Sequence, residues 1–184
     1  MTATIDVLKA NPLKFLKTFP IKISTGKASR LEPQVYYGKK GNDLRFNTGF
    51  ATADDPSTIE TCAAHIVQAQ HGAPNFYQLT DACDFMITSQ LSGCCMILKG
   101  TSQIAHVWPH TGVCQCGQKD LALETGSGVQ DSLAASHGDC KLYGINNYIQ
   151  TYSYVIGVND GSWKFYAQER PNDGPIQKAI QIFL

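Results

Sequence analysis

Residues 94–108 read CCMILKGTSQIAHVW. Two apolar runs flank Lys99-Gly100-Thr101, and the glycine offers the positive φ that a tight hairpin loop uses. The segment predicts two antiparallel strands, and their register decides which side chains meet. With a three-residue loop, Leu98 faces Ser102, Met96 faces Ile104 and Cys94 lies opposite His106. Directly opposed Cβ atoms stand about 4.5–5.5 Å apart, so this register brings a thiol and an imidazole near hydrogen-bond reach. A two-residue loop, Gly100-Thr101, sets Cys95 against His106 instead. One residue of slip exchanges the two faces, and loop length alone does not choose between them.

The preceding residues, Gln90-Leu91-Ser92-Gly93, favour Cys94. As the first residue after a Ser-Gly turn, Cys94 is expected at the mouth of its strand, where a substrate can approach. The backbone N–H groups of Ser92, Gly93 and Cys94 are expected to be uncommitted to a ladder, as an oxyanion hole requires. Cys95 falls one residue deeper on the opposite face, beside Ile97, and reads as core. A thiol is only partly ionised at neutral pH, and a neighbouring imidazole can take its proton and later return it to a leaving nitrogen. A third group must fix the ring's tautomer and orientation. Thr88, at the end of the predicted strand DFMITS (84–89), is the candidate, through its hydroxyl or its carbonyl. The competing reading is a cysteine and a histidine that are simply buried in one sheet.

Further out, IDVLKANPLKFLKTF (5–19) reads as helix with a break at Asn11-Pro12. Residues 33–51 read as two strands joined at Lys39-Lys40-Gly41-Asn42. DDPSTIETCAAHIVQAQ (54–70) predicts a helix capped by Asp55 or Ser57, with Ile59, Cys62, Ala63, Ile66 and Val67 on one face. Residues 121–135 are weakly helical, interrupted by TGSG (125–128). Residues 148–160 and 162–170 form the strongest hairpin signal, about Asn159-Asp160-Gly161, and AIQIFL (179–184) is a final strand. Helices mixed among adjacent hairpins suggest one domain over residues 1–184, of α+β or mixed α/β class, with sandwich-like sheets flanked by helices.

Composition narrows the function classes. The chain has 184 residues, 43% apolar, with 15 basic and 15 acidic side chains. A neutral balance argues against a nucleic-acid partner. Lys9, Lys14, Lys17 and Lys22 interleave with Leu8, Leu13, Phe15, Leu16 and Phe19, the pattern of a solvated helix face. No signal peptide or membrane-length apolar run is read, so a soluble protein that uses no conventional export signal is expected. Seven cysteines without a secretory signal favour reduced thiols in a cytosol-like compartment.

Leu91-Ser92-Gly93-Cys94 matches the LSGC motif of a family of glutamine deamidase toxins. That family includes the cytotoxic necrotizing factor catalytic domains and Burkholderia lethal factor. Thr88 upstream and His106 downstream resemble its catalytic set, and IAHVWP (104–109) is similar to the histidine strand of the chemoreceptor glutamine deamidases. The resemblance is specific over residues 86–109, and in size and spacing is greatest to the lethal factor. The present chain is somewhat shorter and carries Cys95 after the motif cysteine.

The resemblance implies an α/β sandwich with Cys94 and His106 on adjacent strands. It implies hydrolysis of a glutamine side-chain amide by Cys94, with His106 as base and acid and Thr88 orienting it. Backbone N–H groups at Ser92 and Gly93 hold the oxyanion, and neither cofactor nor metal is involved. The implied partner is a host protein, for the lethal factor the initiation factor 4A helicase, whose modification blocks translation. A monomeric effector made in a bacterial cytoplasm and acting in a host cytoplasm is the corresponding expectation. The alternatives are a cysteine protease, a transglutaminase-like acyltransferase, or a non-catalytic binding domain with buried thiols.

Other groupings carry less. His106, His110, Cys114 and Cys116 include a C-x-C pair, a poor match to the usual zinc knuckle. Ser136-His137-Gly138-Asp139-Cys140 reads as a polar turn before a strand, and TGSG lacks the lysine of a phosphate loop. His65 and His71 are assigned no role, and the aromatic hairpin from Tyr148 to Tyr166 reads as core and face packing.

Overall fold

The structure is a computed structural model that describes residues 4–26, 28–70, 74–107, 140–144 and 151–184. Its N-terminal elements follow their capping signals. Helix α1 (Ile5–Ala10) begins at Thr4, whose hydroxyl accepts the Val7 N–H. Helix α2 (Pro12–Thr18) begins at Asn11, whose side chain accepts the Lys14 N–H, with Pro12 in the first turn where its missing N–H costs nothing. Both helices bury one stripe, Leu8, Phe15 and Leu16.

Strand β1 (Ile21–Ser24) is followed by the expected hairpin of β2 (Arg30–Lys40) and β3 (Asp43–Thr48), in which Lys40 pairs with Asp43 across Gly41-Asn42. The next segment corrects the sequence reading. Residues 54–70 form no α-helix: Pro56–Thr58 is a single 3₁₀ turn capped by Asp55, and Glu60–Val67 is strand β4. β4 lies mid-sheet, with Ala64 and Ile66 packed on one face and His65 and Val67 buried on the other. A strand buried on both faces reads as a continuous apolar run, which fits a helical stripe as well as it fits a strand.

Short strands β5 (Ala69–Gln70) and β6 (Tyr77–Gln78) lead to β7 (Phe85–Thr88), β8 (Cys95–Lys99) and β9 (Gln103–Val107). After β10 (Cys140–Tyr143) come β11 (Tyr152–Asn159) and β12 (Trp163–Arg170), the expected hairpin, and then β13 (Lys178–Ile182). Among the described residues, one sheet runs β1-β3-β2-β4-β7-β11-β12-β13. The second runs β10-β8-β9-β5, with β6 also on β9.

Three packed clusters define the layers. One joins the helices to the large sheet through Leu8, Phe15, Ile66 and Ile156. The second lies between the sheets and includes Val67, Met86, Val155, Met96 and Ile104. The third, with Cys95, Ile97 and Ala105, is on the other face of the small sheet. The expected sandwich-like pairing of sheets is present, but the described residues are mostly β, and the two short helices among them pack on one face of the large sheet. Helices flanking the sheets generally are not found among the described residues.

The corner between the sheets positions everything that follows. β4 runs parallel to β7 as far as the pair Val67↔Thr88. One residue later the chain has changed sheets, and β5 runs parallel to β9 with Ala69 beside His106. Gln68, at the corner, gives its N–H to Ser29 Oγ instead of a ladder. Strands that switch sheets make such corners.

Candidate active site

The LSGC turn is built from short-range constraints. Leu91 bridges to Ser153 of β11, its N–H and C=O exchanging bonds of 2.8 and 3.1 Å. The Tyr154 hydroxyl donates to Gln90 Oε1 at 2.9 Å. Gly93 then adopts φ 101°, a conformation in which a Cβ is strained, and the chain turns into β8. Gly93→Ala is therefore expected to cost about 1–2 kcal/mol in urea unfolding. It is also expected to displace Cys94, which follows directly; an unchanged midpoint contradicts this account.

The hairpin register is neither of the two expected ones: it lies two residues from the register that sets Cys94 against His106 and one from the register that sets Cys95 there. The loop is Gly100-Thr101-Ser102, so Lys99 pairs with Gln103 and Met96, not Cys94, pairs with His106. Moving the loop by one residue shifts the pairing by two, and a shift of two preserves the faces. Cys94 and Met96 pack between the sheets, while Cys95, Ile97, Ala105 and Val107 pack on the other face. Cys94 thus shares the inner face with His106 as its diagonal neighbour, and Cys95 does not.

Thr88 and His106 meet across the corner. Thr88 Oγ1 lies 2.6 Å from His106 Nδ1, so the hydroxyl rather than the carbonyl makes the contact. With Nδ1–H donating to that oxygen, Nε2 carries the lone pair. His106 Nε2 is buried with no hydrogen-bond partner among the described residues, the Cys94 thiol included.

Thr88 and His106 are 0% exposed and Cys94 is 2% exposed. The expected open mouth at Cys94 is therefore not observed; the thiol is enclosed. Burial pulls His106 down to about 4. It pushes the Cys94 thiol up to about 11, opposed by the Ser92 N–H, which donates to the sulfur. Both costs arise because charge is poorly solvated in the interlayer. The resting pair is a neutral thiol and a neutral imidazole. Of the turn amides expected to be uncommitted, the Ser92 N–H serves the sulfur, and the Leu91 N–H just before them serves the bridge.

Thr88→Val keeps the shape and removes the hydroxyl. On a catalytic reading of these residues, loss of such an orienting partner is expected to lower turnover by about 10- to 100-fold. Turnover within twofold of the parent excludes an orienting role for Thr88.

A cleft of about 630 Å³ lies elsewhere, at the hairpin tips, lined by Gln78, Asp81, Gly100, Thr101, Lys141 and Trp163 among others. It holds none of Cys94, His106 and Thr88. His65 is a satisfied core group: Nε2 accepts the Thr80 N–H at 3.1 Å and Nδ1 lies 3.0 Å from the Tyr77 hydroxyl. Lys9, Lys14 and Lys17 lie exposed on α1 and α2, as expected of a solvated helix face, whereas Lys22 lies in β1; Lys9 meets Asp84 at 2.5 Å, and Lys22 meets Asp43 and Asp173. Cys62 and Cys83 carry free thiols.

His71, His110, Cys114, Cys116, residues 121–135 with TGSG, and residues 136–139 lie outside the described residues. No cluster of three metal-ligating side chains occurs among those that are described. Nor is any described helix long and apolar enough to cross a membrane.

Tyr143, Ser153 and Glu169 form a buried polar cluster that the sequence did not signal. The Tyr143 hydroxyl lies 2.9 Å from both Ser153 Oγ and Glu169 Oε1. Each residue sits in an ordinary alternating strand pattern. Comparison with protein-family models and with curated proteins finds no match to this chain.

Proposed function

We propose that this protein is a protein-glutamine deamidase with Cys94 as nucleophile, His106 as acid and base, and Thr88 as the group that orients His106. The reading is carried by one observation: a buried imidazole held at Nδ1 by Thr88, its Nε2 unpartnered, on the same inner face as Cys94. The LSGC resemblance selects the same three residues.

In the proposed reaction His106 Nε2 takes the Cys94 proton and the thiolate attacks the glutamine carboxamide carbon. The oxyanion is held by backbone N–H groups of the Ser92-Gly93 turn, the Ser92 N–H leaving the sulfur as the thiolate attacks. The imidazolium gives its proton to the departing nitrogen, ammonia leaves and a thioester remains. Water then loses a proton to His106 and attacks the thioester; the Cys94 sulfur leaves and is reprotonated, and glutamate is released. A neutral amide has become a carboxylate on the partner, a change that is costly where the side chain is buried in an interface. On the resemblance, the target is the initiation factor 4A helicase of a host cell, and the outcome is a block of translation.

The test is proteomic. Eukaryotic lysate treated with the protein should acquire a glutamine-to-glutamate mass change, accompanied by ammonia, that is absent with Cys94→Ser. New peptide termini in its place assign a protease. The burial of all three residues favours a second reading, a binding domain in which thiol and imidazole are core. Identical lysates with the two proteins would establish that reading instead.

A further inference from the structure

Tyr143 joins the two halves of the site through contacts that the reaction above does not use. In the small sheet Tyr143 pairs with Met96, and Met96 pairs with His106, so the three share one row. In the large sheet a second row runs from Leu91 through Ser153 and Glu169 to Lys178. Leu91 opens the LSGC turn. The Tyr143 hydroxyl crosses the interlayer and ties the rows together, 2.9 Å from Ser153 Oγ and 2.9 Å from Glu169 Oε1.

All three side chains are buried. The phenol donates to Glu169 Oε1, and with its one proton so used its oxygen accepts from the Ser153 hydroxyl. The bonds run in one direction toward a carboxylate, and each donor polarises the next. Among the described residues, Lys178 Nζ is the charged group that faces the same Oε1, at 3.6 Å. Directional bonds of this kind fix a geometry that apolar packing alone leaves adjustable.

We infer that Tyr143, held by Ser153 and Glu169, is a positioning residue that sets the offset between the His106 strand and the Cys94 turn. The inference rests on the deamidase reading, because an offset matters only if thiol and imidazole exchange a proton. Cys94 lies in the turn just before β8 and His106 lies within β9, diagonal neighbours that no ladder pair of the hairpin joins directly. A displacement of about 1 Å at a reacting pair can cost on the order of 100-fold in rate.

The test needs no substrate. Full-length protein is treated with iodoacetamide across pH, and the Cys94-containing peptide is quantified by mass spectrometry. A thiol that shares its proton with an imidazole forms a constant fraction of ion pair between the two macroscopic pKa values. The parent is therefore expected to label at a slow, constant rate between about pH 5 and pH 8. Tyr143→Phe is expected to label about tenfold more slowly at pH 6, its rate then climbing with pH as for a lone thiol.

Glu169→Ala should behave like Tyr143→Phe. Glu169→Gln, which keeps an acceptor for the phenol, should retain the constant rate. Looser packing by itself raises labelling at every pH and leaves the shape of the profile alone. A constant rate retained by Tyr143→Phe and Glu169→Ala overturns the positioning role. A parent that lacks the constant rate overturns the Cys94–His106 pair, and the positioning role with it. If Tyr143→Phe does not fold, Ser153→Ala carries the same test.

Discussion

Cys94→Ser is expected to abolish the proposed deamidation, with turnover falling on the order of 10⁴-fold or more and only background catalysis remaining. The reason lies in the gap between donor and acceptor. Burial holds the thiol at about 11 and the imidazole at about 4, so proton transfer between them is already uphill before substrate arrives. A serine hydroxyl is a far weaker acid than a thiol, which widens the gap beyond what the same imidazole can bridge.

The substitution should leave the fold intact. It exchanges one small enclosed group for another, and the hydroxyl costs about 1–3 kcal/mol if it finds no partner. Rates are read as ammonia release from a target protein at saturating concentration, alongside circular dichroism to verify folding. A folded serine variant within tenfold of the parent removes Cys94 from the chemistry. Cys95→Ser, on the opposite face, is the matched control and should keep parental turnover, since its side chain packs with Ile97 and Ala105 rather than with the site.

The site was legible in part because strands have a period of two. The loop of the β8–β9 hairpin lies one residue beyond its expected place, which moves every cross-strand partner by two positions and leaves each side chain on its face. The placement of Cys94, rather than Cys95, on the face of His106 therefore holds in spite of the shifted pairing. The hairpins β2–β3 and β11–β12 were legible for a local reason: each carries a glycine turn between runs of strand-forming residues. The Asn11-Pro12 helix break is equally local.

What the sequence withheld is non-local. β4 looked helical because its apolar residues serve two layers at once, and no window of one strand records which neighbours it will have. The contact between Thr88 and His106 depends on that same strand leaving one sheet after Val67 and entering the other at Ala69. Enclosure of Cys94 is also a tertiary property. A turn followed by a strand suggests an accessible end, but the bridge from Leu91 to Ser153 folds the turn against β11.

The stability of the protein should record the burial of the site through pH. His106 titrates at 6.5 when solvated and at about 4 in the native protein. Between those values the unfolded chain binds a proton that the native state does not, so stability falls as the pH falls. The contribution is fully present above 6.5 and is lost toward 4 at up to about 1.4 kcal/mol per pH unit, about 3 kcal/mol in all. Aspartate and glutamate confuse the lower end, so the useful interval is from pH 6.5 down to about 5, where roughly 1.5 kcal/mol should disappear.

Urea midpoints measured across that interval should slope for the parent and lie flat for His106→Gln; parallel slopes show that another group is responsible. The alkaline side has the opposite sign. Cys94 ionises near 9 in the unfolded chain and at about 11 when folded, so stability is lost as pH rises through that window. Cys62, raised to about 12 by burial, adds to the same limb. Between about 6.5 and 9 thiol and imidazole are neutral in the native state and neither contribution has been spent. This is also the interval in which the proposed reaction starts from an uncharged pair and makes its ions only when the thiol proton moves. A site this deeply enclosed can hold a nucleophile and its base together without a standing charge, provided that the proton is transferred as the substrate arrives.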